Sequence, residues 1–360
     1  MKKTQLVLIA LAFVFSASAQ RVDLDRYSFN VNYRELPRYP LDSSFRTYDF
    51  SCETGPLMKM AISKESPDER LEIEGWKFLP GNAHIMVQLK MEDLVIVKSD
   101  VSEREEVKKD KNGNVTSRKK YYSPRLTYTY AARVLIKDFT GRQIDEYQMM
   151  TRATQHSYTG LEQGSKMAAA NILLNMALLT TQVSRDVLYN TIYKLSQDLS
   201  YNYGYREKRV TDMVWILGNR KHPEYDDFRS NWGTIKNALF KINTNEPIDP
   251  IWEEVQPAIA YFEKLRKTYS GKGKQDRKMR YASHFILSKM YFYLDKPELA
   301  QREASDLILN DYDAKDGRQL ESMANYLRNE LIANKRTTRY FPINTQSFEG
   351  PQNVSLYSRD

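Results

Sequence analysis

Residues 84–91, HIMVQLKM, put Ile85, Val87, Leu89 and Met91 on one side of an extended chain, and Leu126, Tyr128, Tyr130, Ala132, Val134 and Ile136 repeat the pattern in LTYTYAARVLI. A period of two predicts strands with one buried face. Between them lies EREEVKKDKNGNVTSRKK, residues 103–120, with Asn112-Gly113 at its centre. An Asn-Gly pair supplies positive φ angles, so this charged run predicts two protruding strand ends around a tight hairpin turn. Thr140-Gly141 predicts a second hairpin leading into RQIDEYQMM, and strands joined in this way make an antiparallel meander. RLEIEGWKF, residues 70–78, alternates less strictly and predicts a strand bulged at Gly75. From Arg21 to about Gly55 prolines and tyrosines show no helical period, which predicts an extended lead-in ending in one strand.

The period changes after residue 165. In SKMAAANILLNMALL small and apolar residues cover nearly the whole circumference, which predicts a helix buried on most sides. Leu188, Ile192, Leu195 and Leu199 then recur at helical spacing toward Gly204, predicting a helix with one apolar face that stops there. VTDMVWIL, residues 210–217, has strand composition and would close the sheet. Strands followed by two helices and a strand predict a two-layer α+β domain over residues 56–217, with helices on one sheet face. The polar stretch 218–233 has no regular period and predicts a linker. Residues 234–335 are helical in pattern, and 336–360 have the character of an uncovered, flexible tail.

Within the helical part, SKMYFYLDKPELAQREASDLIL, residues 288–309, carries small and large residues on the same helix faces, broken by LDKP. Leu287, Ser288, Tyr291 and Ala300 stand at the leucine, small, tyrosine and alanine positions of a known helix–turn–helix repeat pattern, and over residues 281–313 the chain resembles a tetratricopeptide-repeat unit. It departs from that pattern at His284, Ala304 and Tyr312, where tryptophan, phenylalanine and proline are usual. Ala258, Phe262 and Leu265 give a second partial match. Asp316 with Gln319 would cap a last helix striped by Leu320, Met323, Leu327 and Leu331. The resemblance implies a protein-binding concave face, lined here from Ile235 to Ile242 and from His284 to Tyr291, with His284, Leu287 and Tyr291 as partner-binding residues.

The first 20 residues change the setting. Two lysines, an apolar run from Leu6 to Phe15 and then Ala17-Ser18-Ala19 match a cleaved secretory signal over residues 1–19. The run is too short to span a bilayer. The expected location is the periplasm, the outer membrane by association, or the exterior. Loss of Lys2 and Lys3 lowers the formal net charge from +8 to +6. Export makes an envelope protein or an anionic surface, lipid headgroup or polysaccharide, the expected counterpart, and not nucleic acid. GKGKQDRKMR, residues 271–280, concentrates that charge, and Lys272, Lys274 and Arg277 join the candidate binding residues. A single cysteine, Cys52, excludes an internal disulfide.

Catalytic chemistry is sparse in pattern. The four histidines, His84, His156, His222 and His284, stand far apart in sequence. HPEYDD, residues 222–227, gathers one imidazole and three carboxylates but reads as solvated linker. Gly160 to Lys166 lacks the spacing and the hydroxyl of a phosphate loop, and Ser165 there serves better as a helix N-cap. No metal or cofactor is expected. These features together favour an exported, non-enzymatic scaffold of the bacterial cell envelope that docks a protein through its helical domain. The alternative is a periplasmic or secreted enzyme or glycan-binding protein with its site between the domains.

Overall fold

The computed structural model describes residues 21–62 and 66–351, so the signal segment lies outside the described residues. The fold is α+β, and the chain forms two compact units, one joining Met1–Pro40 to Tyr205–Ile343, the other joining Leu41–Gly204 to Asn344–Asp360.

In the second unit, β2 (Thr47–Thr54), β3 (Lys77–Phe78), β4 (Ile85–Met91), β7 (Ala132–Asp138) and β8 (Gln143–Met150) form one sheet in the order β3-β2-β4-β7-β8. β5 (Val95–Lys109), β6 (Val115–Thr129) and β9 (His156–Thr159) form another. The strands read as a meander, β4, β7 and β8, do lie side by side and antiparallel, but the Asn112-Gly113 hairpin joins β5 to β6 in the other sheet. β2 runs parallel to β3 and β4, and the alternating run 126–136 crosses between sheets at Tyr130 and Ala131. The alternation itself is real: Leu126, Tyr128, Tyr130, Ala132, Val134 and Ile136 are all buried.

Both predicted hairpins use the same turn chemistry. Gly113 (φ +88°) and Gly141 (φ +86°) each occupy the left-handed region and donate to the carbonyls of Asp110 and Asp138 three residues back. A single left-handed glycine after such a turn marks a three-residue loop with a bulge, not the two-residue turn read from Asn-Gly. Asp110 and Asp138 also accept backbone N–H groups across their loops.

Among the described residues three α-helices belong to this unit: α1 (Pro56–Ala61), α2 (Lys166–Leu174) and α3 (Met176–Tyr203). Leu188, Ile192, Leu195 and Leu199 are buried, and α3 ends at Gly204 as the pattern predicts. The strand expected over 70–78 reduces to Lys77–Phe78. Upstream of it the backbone is satisfied by side chains of α3 instead of a ladder: Ser196 Oγ accepts from Glu72 N and Ser200 Oγ from Glu74 N, each at 3.0 Å. Serines inside a helix thus do the work of a neighbouring strand.

The first unit is built on β1 (Leu24–Glu35) and β10 (Arg206–Leu217), antiparallel from Leu24↔Leu217 to Glu35↔Arg206. The lead-in and the strand expected to close the sheet therefore pair with each other, which moves the unit boundaries to 40/41 and 204/205 and removes the linker at 218–233. Helix α4 (Tyr225–Phe240) already occupies most of that stretch, with Trp232 buried edge-on against Phe29 at 5.4 Å. There follow α5 (Asp249–Thr268), α6 (Lys274–Tyr293), α7 (Pro297–Leu309) and α8 (Ala314–Ala333), each in contact with the next. α8 is capped by Asp313, not Asp316. Asp316 instead accepts from the Tyr281 hydroxyl.

The expected flexible tail is also corrected over its described part. Arg339 is buried, donating to Asp295 Oδ1 at 2.7 Å and to the Phe292 carbonyl at 2.7 Å. Burial alone would lower the guanidinium's pKa, but the Asp295 carboxylate outweighs it and holds Arg339 charged. Tyr340 is buried too and donates to the Tyr293 carbonyl. In the other unit Lys77 Nζ donates to the carbonyls of Gln346 and Phe348. Residues 352–360 lie outside the described residues.

Candidate docking surface

Most of the residues expected to line a concave face are core residues, although Asn237, Phe240 and Lys241 are exposed. Leu287 and Tyr291 are buried in the main cluster of the helical unit, together with Ile235, Ala238, Leu239 and Ile242. The cause is close helix approach. Ser288 Oγ donates to the Ala300 carbonyl at 3.0 Å, so α6 and α7 touch where the small residues stand, and the large side chains beside them fill the interior.

His284 is likewise buried but sits at the floor of two adjoining clefts of about 440 and 470 Å³. Its Nδ1 lies 2.8 Å from Glu303 Oε2 and 3.0 Å from Arg266 Nη1, and Arg266 also pairs with Glu303. Burial would raise the Glu303 carboxyl, but the His284 hydrogen bond and the charges of Arg266 and Arg302 outweigh it and hold the carboxyl low. The structure brings Lys272 and Arg277 to the second cleft with His284. Lys274 stands exposed at the start of α6, outside its lining.

Most of the basic patch is engaged in holding the fold. Arg277 bonds the carbonyl and carboxylate of Asp311, Lys278 the Val22 carbonyl, and Arg280 the carbonyls of Tyr269 and Gly271 and Asn310 Oδ1. These cations complement the carboxyl ends of α5 and α7. His284, Glu303 and Asp306 bring donor atoms within 4.8 Å of one another. The Arg266 guanidinium already pairs with Glu303 and lies 3.0 Å from His284 Nδ1, and a second cation there would be repelled, so the donor set does not suit a metal ion.

The remaining candidates for chemistry are structural. His222 is buried, receives Glu224 N on Nδ1 and packs beside Tyr269, so HPEYDD is a helix entrance and not solvated linker. His84 bonds Thr47 through Nδ1 at 2.7 Å. Burial lowers the pKa of both imidazoles. It pushes the Cys52 thiol up to about 12, which leaves it unreactive at neutral pH. Ser165 caps α2 as expected, accepting from Ala168 N at 3.2 Å. A larger cleft of about 680 Å³ lies over β2, β4 and β7, but its charges are paired locally: Lys90 with Glu53, Arg152 with Glu92.

The largest departure from expectation is α2. Its sequence predicts burial on most sides, yet Ala169 is its only buried residue, while Leu161, Met167, Leu174 and Leu178 are 84, 75, 83 and 65% exposed. On the helix Met167, Asn171 and Leu174 form one outward stripe at i, i+4 and i+7, all exposed. Asn175 interrupts the run and caps α3 through Leu178 N, and the two helices meet at 82°. Among the described residues no single helix is long and apolar enough to cross a membrane.

Comparison of the chain with protein-family models and with curated proteins finds no match. The sequence had signals that pattern reading passed over. Glu303 stands with Ala300, Ala304 and Leu307 on the buried stripe of α7, and an acid at a core position announces a buried partner. Arg266 and Asp306 had no such mark, because a charge beside a helix face is ordinary. For α2, an apolar circumference identifies a surface to be covered without saying whether the same chain covers it.

Proposed function

We propose that this protein is an exported, non-enzymatic scaffold of the cell envelope whose docking element is α2. The observation that carries the reading is the mismatch at α2, a helix with the composition of an interior whose outward stripe, Met167, Asn171 and Leu174, is exposed. Exposed large apolar patches mark sites of association. At nine residues α2 is about 14 Å long, too short to span a bilayer, and it has no charged face to lie along one. Burial by protein is the state its composition fits. The helical unit then serves as a rigid body, and the α6–α7 pair is a repeat-like hairpin whose large side chains pack inward. Localisation to the envelope rests on the signal-like first 20 residues.

The test is a photo-crosslinking amino acid placed at Leu174 in cells of the source, with Lys272 as the control position. The expected result is a discrete crosslinked protein species in the envelope fraction from position 174 and none from 272. Absence of any protein adduct at 174, with the chain recovered free, would overturn the reading.

A further inference from the structure

We infer that the protein covering α2 is a second copy of this chain, packed antiparallel across a two-fold axis at Asn171; the inference rests on the docking role proposed above. Three observations support it. The first is charge. From Leu161 to Ser184 the only charged residues are Glu162 and Lys166, and Glu162 is already paired with Arg104 at 2.7 Å. Lys166 stands at the edge of the stripe, and Met167, Asn171 and Leu174 themselves carry no charge, so two copies bring no like charges together on the axis and no charged partner is called for.

The second is the polar group at the centre of the stripe. Asn171 lies exposed between Met167 and Leu174. A carboxamide carries both donors and an acceptor, so covered by an apolar surface it would lose its hydrogen bonds to water. Covered by its own copy across a two-fold it finds a complementary group, as a single buried asparagine does in fixing register between helices. In that arrangement Met167 of each copy lies over Leu174 of the other, with the smaller Ala168 and Ala170 on the shoulders of the stripe.

The third is area. Leu161, Met167, Leu174 and Leu178 together expose roughly 500 Å², near the upper end for the largest patch on a monomer. A stable interface buries about 800 Å² on each side. These four residues supply over half of it, and the flanking α2 and α3 surface the rest. Isologous pairing of one patch with itself is the commonest way soluble chains close an interface.

Sedimentation velocity and cysteine crosslinking of the full mature chain test the inference. The wild type is expected to sediment as a dimer at micromolar concentration, and Leu174→Asp as a monomer with at least tenfold weaker self-association. Asn171→Cys is expected to form a disulfide-linked dimer under mild oxidation, since a residue on the axis meets itself, while Lys272→Cys does not. Cys52, with its thiol pushed up by burial, gives little background. Asn171→Asp is expected to dissociate at pH 7 and to reassociate as the pH falls below the carboxylate range, because like charges would sit together on the axis. Unchanged circular-dichroism melts of the diluted variants would separate loss of pairing from loss of fold. A wild-type monomer whose position 174 still crosslinks to a different protein would overturn self-association and leave the scaffold reading standing. A monomer with no protein adduct at all would remove both. A dimer that survives Leu174→Asp and does not link through Asn171→Cys would place the contact elsewhere and overturn the inference.

Discussion

Helices α2 and α6 exchange the fates their compositions suggest. α2 contains Met, Ala, Ile and Leu almost throughout, yet only Ala169 is buried, with Lys166, Met167, Asn171 and Leu174 exposed and the rest half-buried where the helix meets β5 and β6. α6 carries Ser283, His284, Ser288 and Lys289 among its large residues and is buried without a break from Tyr281 to Tyr291. The difference lies in partners, not hydrophobicity. Each polar group on α6 meets one already in place: Ser283 bonds the Met279 carbonyl, Ser288 the Ala300 carbonyl, His284 the Glu303 carboxylate, and Lys289 the Asp212 carboxylate at 2.8 Å. Burying a polar group is costly only when it is left unpaired. An apolar helix needs no such arrangement, and among the described residues only the side of α2 that meets β5 and β6 is covered.

The comparison breaks most sharply where α6 meets the former tail. Arg339→Ala would leave the carboxylate of Asp295, whose backbone is in the left-handed region at φ +55°, buried without its countercharge and held by the Thr338 hydroxyl and one backbone N–H. The expected loss is about 3–5 kcal/mol, seen as a large drop in the denaturant midpoint; a loss under 1 kcal/mol would show the pair to be incidental. Tyr291→Ala removes a buried ring from the middle of α6 and should cost roughly 3 kcal/mol. An unchanged melt there would contradict the packing of the whole helical unit.

A pH experiment comes next in size. Burial raises the Glu330 carboxyl to about 7, with Glu35 and Asp295 adding to the rise and Arg339 and the Leu36 N–H opposing it. Its folded-state pKa lies above the unfolded value near 4.5. The stability it contributes is therefore fully present below pH 4.5 and is lost as the pH rises through 7. Wild-type protein should be more stable at pH 5 than at pH 8 by something on the order of 2 kcal/mol from this group, and Glu330→Gln should flatten that difference. A pH dependence unaltered by the substitution would exclude Glu330 as its source. The smallest effect belongs to α2, where Leu174→Asp should change the stability of the monomer by less than about 0.5 kcal/mol. A loss of several kcal/mol would mean that α2 is internal after all.

What the sequence made legible follows the same line. Strands with one wet face announced themselves, and so did the helix striped by Leu188, Ile192, Leu195 and Leu199, because a periodic pattern is written within a few residues. Pairing between distant segments was not legible. Nothing near Leu24 marks it as the neighbour of Leu217, and nothing in LTYTYAARVLI shows that its two halves enter different sheets. Arg339 read as part of a tail because its partner, Asp295, sits in a turn whose sequence says only that the chain reverses. Of the candidate residues, Lys272, Arg277 and His284 do come together, while Leu287 and Tyr291 were correctly seen as large and wrongly seen as available.

The ribbon of β1 and β10 also sets a timetable. Its two strands flank the entire sheet unit in sequence, so β1 emerges early from any ribosome or translocation pore and waits without its neighbour until Leu217 follows. Contacts of such separation carry a large loop-closure cost and form late. The sheet unit, by contrast, contains everything it needs apart from its last few residues by the time Gly204 appears. Synthesis therefore presents a nearly finished unit tethered to an unpaired strand, and the end of α6 is locked later still, when Arg339 reaches Asp295. A nascent chain arrested before that residue would leave the Asp295 carboxylate without its guanidinium, which makes the wait for Arg339 an interval in which a chaperone has something to hold.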